Sequence, residues 1–377
     1  MHTMIIKKVV IIFLLGLTIS CSQQSHQNTS ANPANEDKVP VKVVIVTMFE
    51  IGADEGDEIG EFQLWKERRE LNKKFEFPQS HHDLFYNSET QTLGMVTGIG
   101  TANSAAAIMA LGLDPRFDLS RAYWLVAGIA GIDPEDASIG SVVWSSFLVD
   151  GDLGYELDAR EIPDDWRTGY FHFDTSTPFE TPRPKISGEG RAYCCHKEVF
   201  VANPSLRDWA YEKTQDLKLF DEESLWDTRN LYSEHPNARK APEVLKGGHI
   251  AAMTFWHGKL KNKWANELVS YWTDGATDFV TSAMEETGTF QSLTYLDRID
   301  KVDIDRALVL RGGSNFTMQP PNLSAAENLM KESEGYAGLE VSLENIYLAG
   351  SVVLDELIAN WDTYETQIPS MKKIKTE

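Results

Sequence analysis

Gln91-Thr92-Leu93-Gly94-Met95-Val96-Thr97-Gly98-Ile99-Gly100-Thr101-Ala102-Asn103-Ser104-Ala105-Ala106-Ala107-Ile108-Met109-Ala110-Leu111 is the stretch that decides the fold. A strand-like segment over 91–98 meets a glycine turn, Gly98-Ile99-Gly100, which opens directly into an alanine-rich helix over 101–111. Small side chains along that helix predict tight packing on a sheet. The same transition recurs along the chain. Residues 41–48 form a continuous, β-branched run read as a buried central strand, ending in Phe49-Glu50. Residues 121–127 enter Gly128-Ile129-Ala130-Gly131, and 140–149 form a further strand. Residues 247–255, 279–283 and 307–311 also read as strands, the last ending in Gly312-Gly313-Ser314-Asn315. Helical spacing is read over 264–273, 285–296 and 339–360. Strands alternating with helices predict an α/β fold: a single domain over 41–377, with a central, mostly parallel mixed β-sheet flanked by helices. Ligands in such folds bind outside the carboxyl ends of the strands. Residues 150–242 are rich in Pro, Trp, Tyr and charge, with weak periodicity, and read as a long insertion or cap.

Composition narrows the function. The 377 residues are 42% hydrophobic and 24% charged, which is globular and long enough for a substantial core. Lys+Arg of 35 against Asp+Glu of 57 gives a formal charge of -22. That balance excludes the basic footprint of nucleic-acid binding and opposes attraction to anionic lipid. Three cysteines cannot build a disulfide framework. Cys194 and Cys195 read as ordinary thiols, with a vicinal disulfide as the rarer alternative. CxxC and HExxH spacings are absent, so neither a metal nor a redox cofactor is implied.

The first twenty residues read as a signal peptide: Lys7 and Lys8, an apolar run over 9–19, then a small-residue boundary. The run is about half the roughly 20 residues a membrane span needs. Thr18-Ile19-Ser20-Cys21 resembles a bacterial lipoprotein processing site, which would make Cys21 the lipidated residue. Ordinary secretion and an uncleaved anchor are the alternatives. Residues 21–40 form a polar linker. The expectation is an exported protein of a bacterium, periplasmic or held to the membrane as a lipoprotein.

Taken singly, each glycine turn is weak evidence for a ligand site, since glycine also serves ordinary turns. The Gly98 loop lacks the third glycine and acid of a dinucleotide fingerprint, and no Walker lysine is present. In order and context, however, the loops resemble the nucleoside phosphorylase/nucleosidase superfamily. Gly98-Ile99-Gly100-Thr101-Ala102-Asn103 is similar to its glycine turn, and Ala127 to Gly131 to its central strand. Thr254-Phe255-Trp256, Met284-Glu285 and Ser314-Asn315 resemble its base-stacking aromatic, Met-Glu pair and Ser-Asp pair. Longer motifs, among them MFEIGADEGDEIGEFQLW, ALGLDPRFDLSRAYWLVAGIAGIDPEDASIG, TFWHG, TSAMEETGT and VLRGGSNFTM, resemble the purine nucleoside permease family over nearly the whole chain. Members of that family have been regarded as purine nucleoside uptake proteins, while their pattern resembles nucleoside-cleaving enzymes.

The resemblance implies a site. Met284 and Glu285 would hold the ribose, since a carboxylate offers two acceptors to two vicinal hydroxyls and favours an oxocarbenium-like transition state. The plainer alternative is that Glu285 is an acid at a helix N-terminus. Phe255 and Trp256 would stack on the purine, unless they are ordinary core aromatics. Ser314 and Asn315 would face the base, with Gly98, Gly100, Thr101, Asn103, Gly128 and Gly131 lining the site. Asn315 stands where many relatives carry a proton-donating Asp. An amide cannot deliver that proton, but it can hydrogen-bond N7 and a 6-oxo group. Phosphorylases place Arg and Ser around phosphate where Val126 and Ile129 stand here. The acidic loop Glu50, Asp54, Glu55, Asp57, Glu58, Glu61 would repel phosphate. Nucleosidases of the superfamily carry a glutamate after the first strand to position water, so the resemblance makes Glu50 the expected general base, unless it belongs to a solvated loop. The expected function is cleavage of the N-glycosidic bond of purine nucleosides, by hydrolysis rather than phosphorolysis. The alternative is a non-catalytic nucleoside-binding protein serving uptake, which would need a transport partner. Relatives of this kind are often homo-oligomers.

Overall fold

The β-branched run near the start of the domain forms β1 (Val43–Thr47), buried at every position. Its side chains alternate between two faces, as strand geometry requires. Val44 and Val46 enter one apolar core, while Val43 and Ile45 enter another. A strand apolar on both sides must lie between two layers, and helices supply both. The computed structural model describes residues 38–184 and 197–371, all within one compact unit. Cys21, Cys194 and Cys195, and the whole proposed signal peptide, lie outside the described residues.

Among the described residues, ten strands form the sheet. After β1 come β2 (Lys73–Phe75), β3 (Leu84–Asn87), β4 (Thr92–Val96), β5 (Tyr123–Ile132), β6 (Val142–Asp150), β7 (Val199–Val201), β8 (Val244–Ala251), β9 (Phe279–Ala283) and β10 (Ala307–Phe316). β1 pairs in parallel with β4 and β5. β10 runs parallel to β5 and antiparallel to β6. β8 runs parallel to β6 and β9, and β9 closes back on β5 in antiparallel pairing. Those five strands therefore curl the sheet on itself, and the carboxyl ends of β5, β8, β9 and β10 meet.

On one face lie α2 (Thr101–Leu113) and α6 (Glu286–Asp297), burying Ala107, Ile108 and Leu111 with Phe290, Leu293 and Leu296. On the other lie α1 (Gln63–Arg68), α3 (Pro204–Thr214) and α8 (Leu339–Ala359), burying Trp65, Leu206, Trp209, Val353 and Leu357. Between α3 and α8 the chain also forms α4 (Ser224–Asn230), α5 (Lys259–Thr273) and α7 (Ala325–Glu332). Residues 150–242 are thus only partly peripheral. Tyr155–Glu156 and Tyr170–Phe171 form a hairpin, but β7 extends the sheet on β6 and α3 enters the core. The signal for α3 was present: Asn203 caps it through its side chain, Pro204 opens it, and Leu206, Trp209 and Ala210 share one face.

The sequence reading ended two strands too early. β5 runs through Gly128-Ile129-Ala130-Gly131, and β10 runs through Gly312-Gly313-Ser314-Asn315. These glycine segments pair with each other, Arg311 opposite Gly128 and Asn315 opposite Gly131, with a register shift between Gly313 and Asn315. A bulge of this kind re-aims the side chains beside it.

Candidate active site

The converging strand ends enclose a half-open, mainly apolar cavity of about 500 Å³. Met48 after β1, Ile129 and Gly131 of β5, Ser282 of β9 and Ser314 of β10 line it, as the rule for α/β sheets predicts. Arg311, Glu285 and Glu61 make its floor. Arg311 is fully buried in β10 and donates from Nη2 to Glu285 Oε2 at 2.9 Å and from Nη1 to the Ile129 carbonyl at 3.0 Å. Its Nε donates to Glu286 Oε1. Burial disfavours the guanidinium charge, but Glu286, Glu285 and Glu61 keep it ionised.

Glu286 lies behind Arg311 and does not line the cavity. His249 Nε2 lies 2.8 Å from Glu286 Oε2, and His249 Nδ1 lies 2.9 Å from Thr281 Oγ1. Burial raises the Glu286 carboxyl, yet Arg311 and then His249 outweigh it and hold it well below the usual carboxylate range. Glu285 is positioned by the glycine turn. Gly100, at φ 95°, points its N–H at Glu285 Oε1 across 2.9 Å, and Thr101 Oγ1 donates to the Met284 carbonyl at 2.8 Å. The turn requires a residue that tolerates positive φ.

Glu61 is the second cavity carboxylate. It is almost fully buried and accepts from Met48 N at 2.7 Å and Ile129 N at 2.8 Å. Burial pushes its carboxyl up to about 7, against the opposing attraction of Arg311. A Cβ on Gly128 would come 2.5 Å from Glu61 Oε1 and 2.6 Å from Arg311 Nη1, so the pair is packed against bare backbone.

At the other end of the cavity, Phe255 and Tyr336 hold their rings within 2° of parallel, with centroids 6.2 Å apart. Trp256 also lines the cavity, donates to Ser282 Oγ at 3.1 Å, and leans on Trp264 and Phe279. Ser314 Oγ donates to Asn315 Oδ1 at 3.0 Å, which orients the amide with its Nδ2 outward. Asn315 Nδ2 lies 3.4 Å from Glu332 Oε2, at the end of α7 (Ala325–Glu332).

The structure thus gathers Met284, Glu285, Phe255, Trp256, Ser314, Asn315 and Gly131 around one cavity. It does not place Glu50 there. The Glu50 carboxylate accepts four backbone N–H groups, from Ile51, Gly60, Phe62 and Gln63, at 2.5–2.8 Å. A carboxylate so occupied ties a loop to a helix start and has no free lone pair for water. Gly98, Gly100, Thr101, Asn103 and Gly128 stand behind the cavity wall rather than on it. Asn103 Nδ2, for instance, closes the turn on the Ile99 carbonyl. The acidic loop also turns away: Glu55 pairs with Lys66, Asp54 with His82, and Asp57 accepts from Ala53 N. Of the loop carboxylates, Glu61 alone lines the cavity among the described residues. Sequence reasoning also missed Arg311, Glu332 and Tyr336. Arg311 carried a signal, a charge inside a strand otherwise apolar from Ala307 to Leu310.

The site thus lies where a curled mixed sheet between helices brings its Met-Glu and Ser-Asn pairs to one cavity. The chain belongs to the purine nucleoside permease family, whose model matches residues 40–369. A purine nucleoside permease of Candida albicans is 33% identical over 272 residues, 71% of this chain and 64% of that protein. The match thus spans less than two-thirds of that relative's length. A probable purine nucleoside permease of Schizosaccharomyces pombe is 30% identical over 287 residues, 76% of this chain and 80% of that one. Among solved structures, a 5′-methylthioadenosine/S-adenosylhomocysteine nucleosidase of Helicobacter pylori is similar at 14% identity and a TM-score of 0.49, covering 85% of this chain and 100% of that one. The futalosine hydrolase of the same organism is similar at 13% identity and 0.48, covering 84% and 98%. The sequence relatives are fungal, which overturns the expectation of a bacterial periplasmic lipoprotein. Among the described residues, no helix is long and apolar enough to cross a membrane.

Proposed function

We propose that this protein binds purine nucleosides and cleaves their N-glycosidic bond, with water rather than phosphate as the acceptor. The observation that carries the reading is the cavity floor. Glu61 and Glu285 sit in an apolar cavity whose basic side chain, Arg311, is already committed to Glu285, Glu286 and a carbonyl. A phosphate dianion would need free donors there, and the neighbouring carboxylates would repel it. An electron-poor sugar, by contrast, is stabilised by such carboxylates as the bond to the base breaks.

In this reading Glu285 accepts a hydrogen bond from a ribose hydroxyl, using the Oε1 lone pair not taken by Gly100, while Arg311 and Met284 N occupy Oε2. Glu61 takes a proton from water as its oxygen bonds to C1′, a task that suits a carboxyl titrating near neutrality. Phe255 and Tyr336 hold the planar base, and Asn315 hydrogen-bonds its edge. The name carried by the fungal relatives favours a second reading, capture of a nucleoside for uptake without turnover.

Incubation of the purified chain with inosine, guanosine or adenosine, with and without inorganic phosphate, separates these. Free base plus ribose in the absence of phosphate is the expected product. Strict phosphate dependence refutes the hydrolytic assignment, and tight binding with no turnover favours uptake.

A further inference from the structure

Cleaving the bond from C1′ to N9 sends both electrons onto the purine, which departs poorly unless it is protonated. Asn315 lies where that proton would be delivered, yet an amide has no proton to give up at neutral pH. The reaction read above therefore lacks an acid. We propose that Glu332, set against Asn315 in the cavity wall, delivers this proton to the leaving base; the inference rests on the glycosidic-cleavage reading.

The geometry singles Glu332 out. It is the last residue of α7, whose start is fixed by a capping box between Ser324 and Glu327. Its side chain lines the same cavity as Phe255, Tyr336 and Asn315. Oε2 lies 3.4 Å from Asn315 Nδ2, and Oε1 accepts from Asn328 Nδ2 at 2.8 Å. His257 Nδ1 is 3.7 Å from Oε2.

The surroundings keep the proton on. Burial pushes the Glu332 carboxyl up to about 7, and only the amides of Asn328 and Asn315 oppose it. Burial also holds His257 down to about 4, so the imidazole facing the carboxyl is neutral and adds no attraction for a negative charge. Tyr232 and Tyr336, the other titratable groups facing it, are raised by burial and then by Glu332 itself, and stay neutral. Among the described residues, no lysine or arginine forms an ion pair with Glu332. Its place at a helix C-terminus further disfavours the anion. The cavity thus holds a charged cluster at the sugar end and a neutral carboxylic acid at the base end.

The step balances. Glu332 transfers its proton to a ring nitrogen of the purine as the C1′–N9 pair moves onto the base. Water bonds to C1′ and gives its proton to Glu61. The cycle closes when solvent carries the proton from Glu61 back to Glu332.

The test compares two leaving groups in the full chain. Inosine needs a proton on its base, whereas 4-nitrophenyl β-ribofuranoside releases a stable phenolate and needs none. In the wild-type protein, kcat/KM for inosine should fall as pH rises past about 7, and the nitrophenyl substrate should show no such fall. Glu332→Gln should lose about 10²–10⁴-fold on inosine, keep its rate on the nitrophenyl substrate, and lose the alkaline limb. Glu332→Asp should recover part of the inosine rate. Equal losses on both substrates, or identical wild-type pH profiles for the two, overturn the role of Glu332 while leaving cleavage intact. A wild-type protein that cleaves neither overturns the cleavage reading and this role with it.

Discussion

Arg311 and Glu285 meet at 2.9 Å beneath the cavity, although one belongs to β10 and the other stands just before α6. The contact ties the sheet to a helix on one of its faces. Arg311 also balances Glu286 on the side away from the cavity and Glu61 on the near side. One cation therefore compensates three carboxylates, with His249 assisting only Glu286.

Removing that cation should be severe. Arg311→Met leaves the surrounding carboxylates buried without their partner, a change that costs about 3–5 kcal/mol when a buried ion pair is broken. Urea unfolding at neutral pH should report a loss of that size, shrinking in acid as the carboxylates take up protons. A loss within about 0.5 kcal/mol, as for an ordinary surface change, would show that the cluster is not what holds the cavity floor.

Glu50 and Glu61 should separate cleanly. Glu61→Gln should lower kcat by about 10²–10⁴-fold if it activates water, with folding retained. Glu50→Gln puts an amide where four backbone N–H groups converge, so it should cost about 1–3 kcal/mol of stability. Its effect on turnover should follow only from loosening the segment that carries Glu61. If Glu50→Gln abolishes turnover at unchanged thermal stability while Glu61→Gln stays active, the assignment reverses.

That pair also marks where the sequence was legible. A strand read over 41–48, a helix over 101–111 and a strand over 279–283 appear at 43–47, 101–113 and 279–283, each following from residue type and glycine placement. Motif order then located Met284, Glu285, Phe255 and Asn315 near one another. What sequence order could not supply was which acid of a twelve-residue loop turns inward. Glu50 follows the strand directly and Glu61 comes eleven residues later, yet the loop folds back so that Glu61 N bonds the Phe49 carbonyl at 3.2 Å. The inward acid is decided by that loop closure. Tyr336 and Glu332 escaped for a related reason, since they reach the cavity from a segment beyond the last strand.

The aromatic pair should govern affinity for the base. Phe255 remains 41% exposed beside Tyr336, as a ring awaiting a planar partner would be. Stacking of a base on an aromatic side chain is worth about 1–3 kcal/mol, so Phe255→Ala should weaken inosine binding roughly 5- to 150-fold. Calorimetry on the Glu61→Gln background would measure this without turnover. Loss on Trp256→Ala but not on Phe255→Ala would move the base to the other wall of the cavity.

Glu61 should also write itself into the pH dependence of folding. Its carboxyl is raised from 4.5 to about 7 on folding, so the native state binds this proton more tightly than the unfolded chain does. Stability from this group is then fully present below about 4.5 and is lost as pH rises to about 7. Each pKa unit corresponds to about 1.4 kcal/mol, so the decline is of the order of 3 kcal/mol. Glu61→Gln cannot titrate. Whatever its own stability, the gap between it and the wild type should shift in favour of the variant across that window. A constant gap would mean that Arg311 already holds Glu61 ionised, in which case Glu61 could orient water but would take up its proton only weakly.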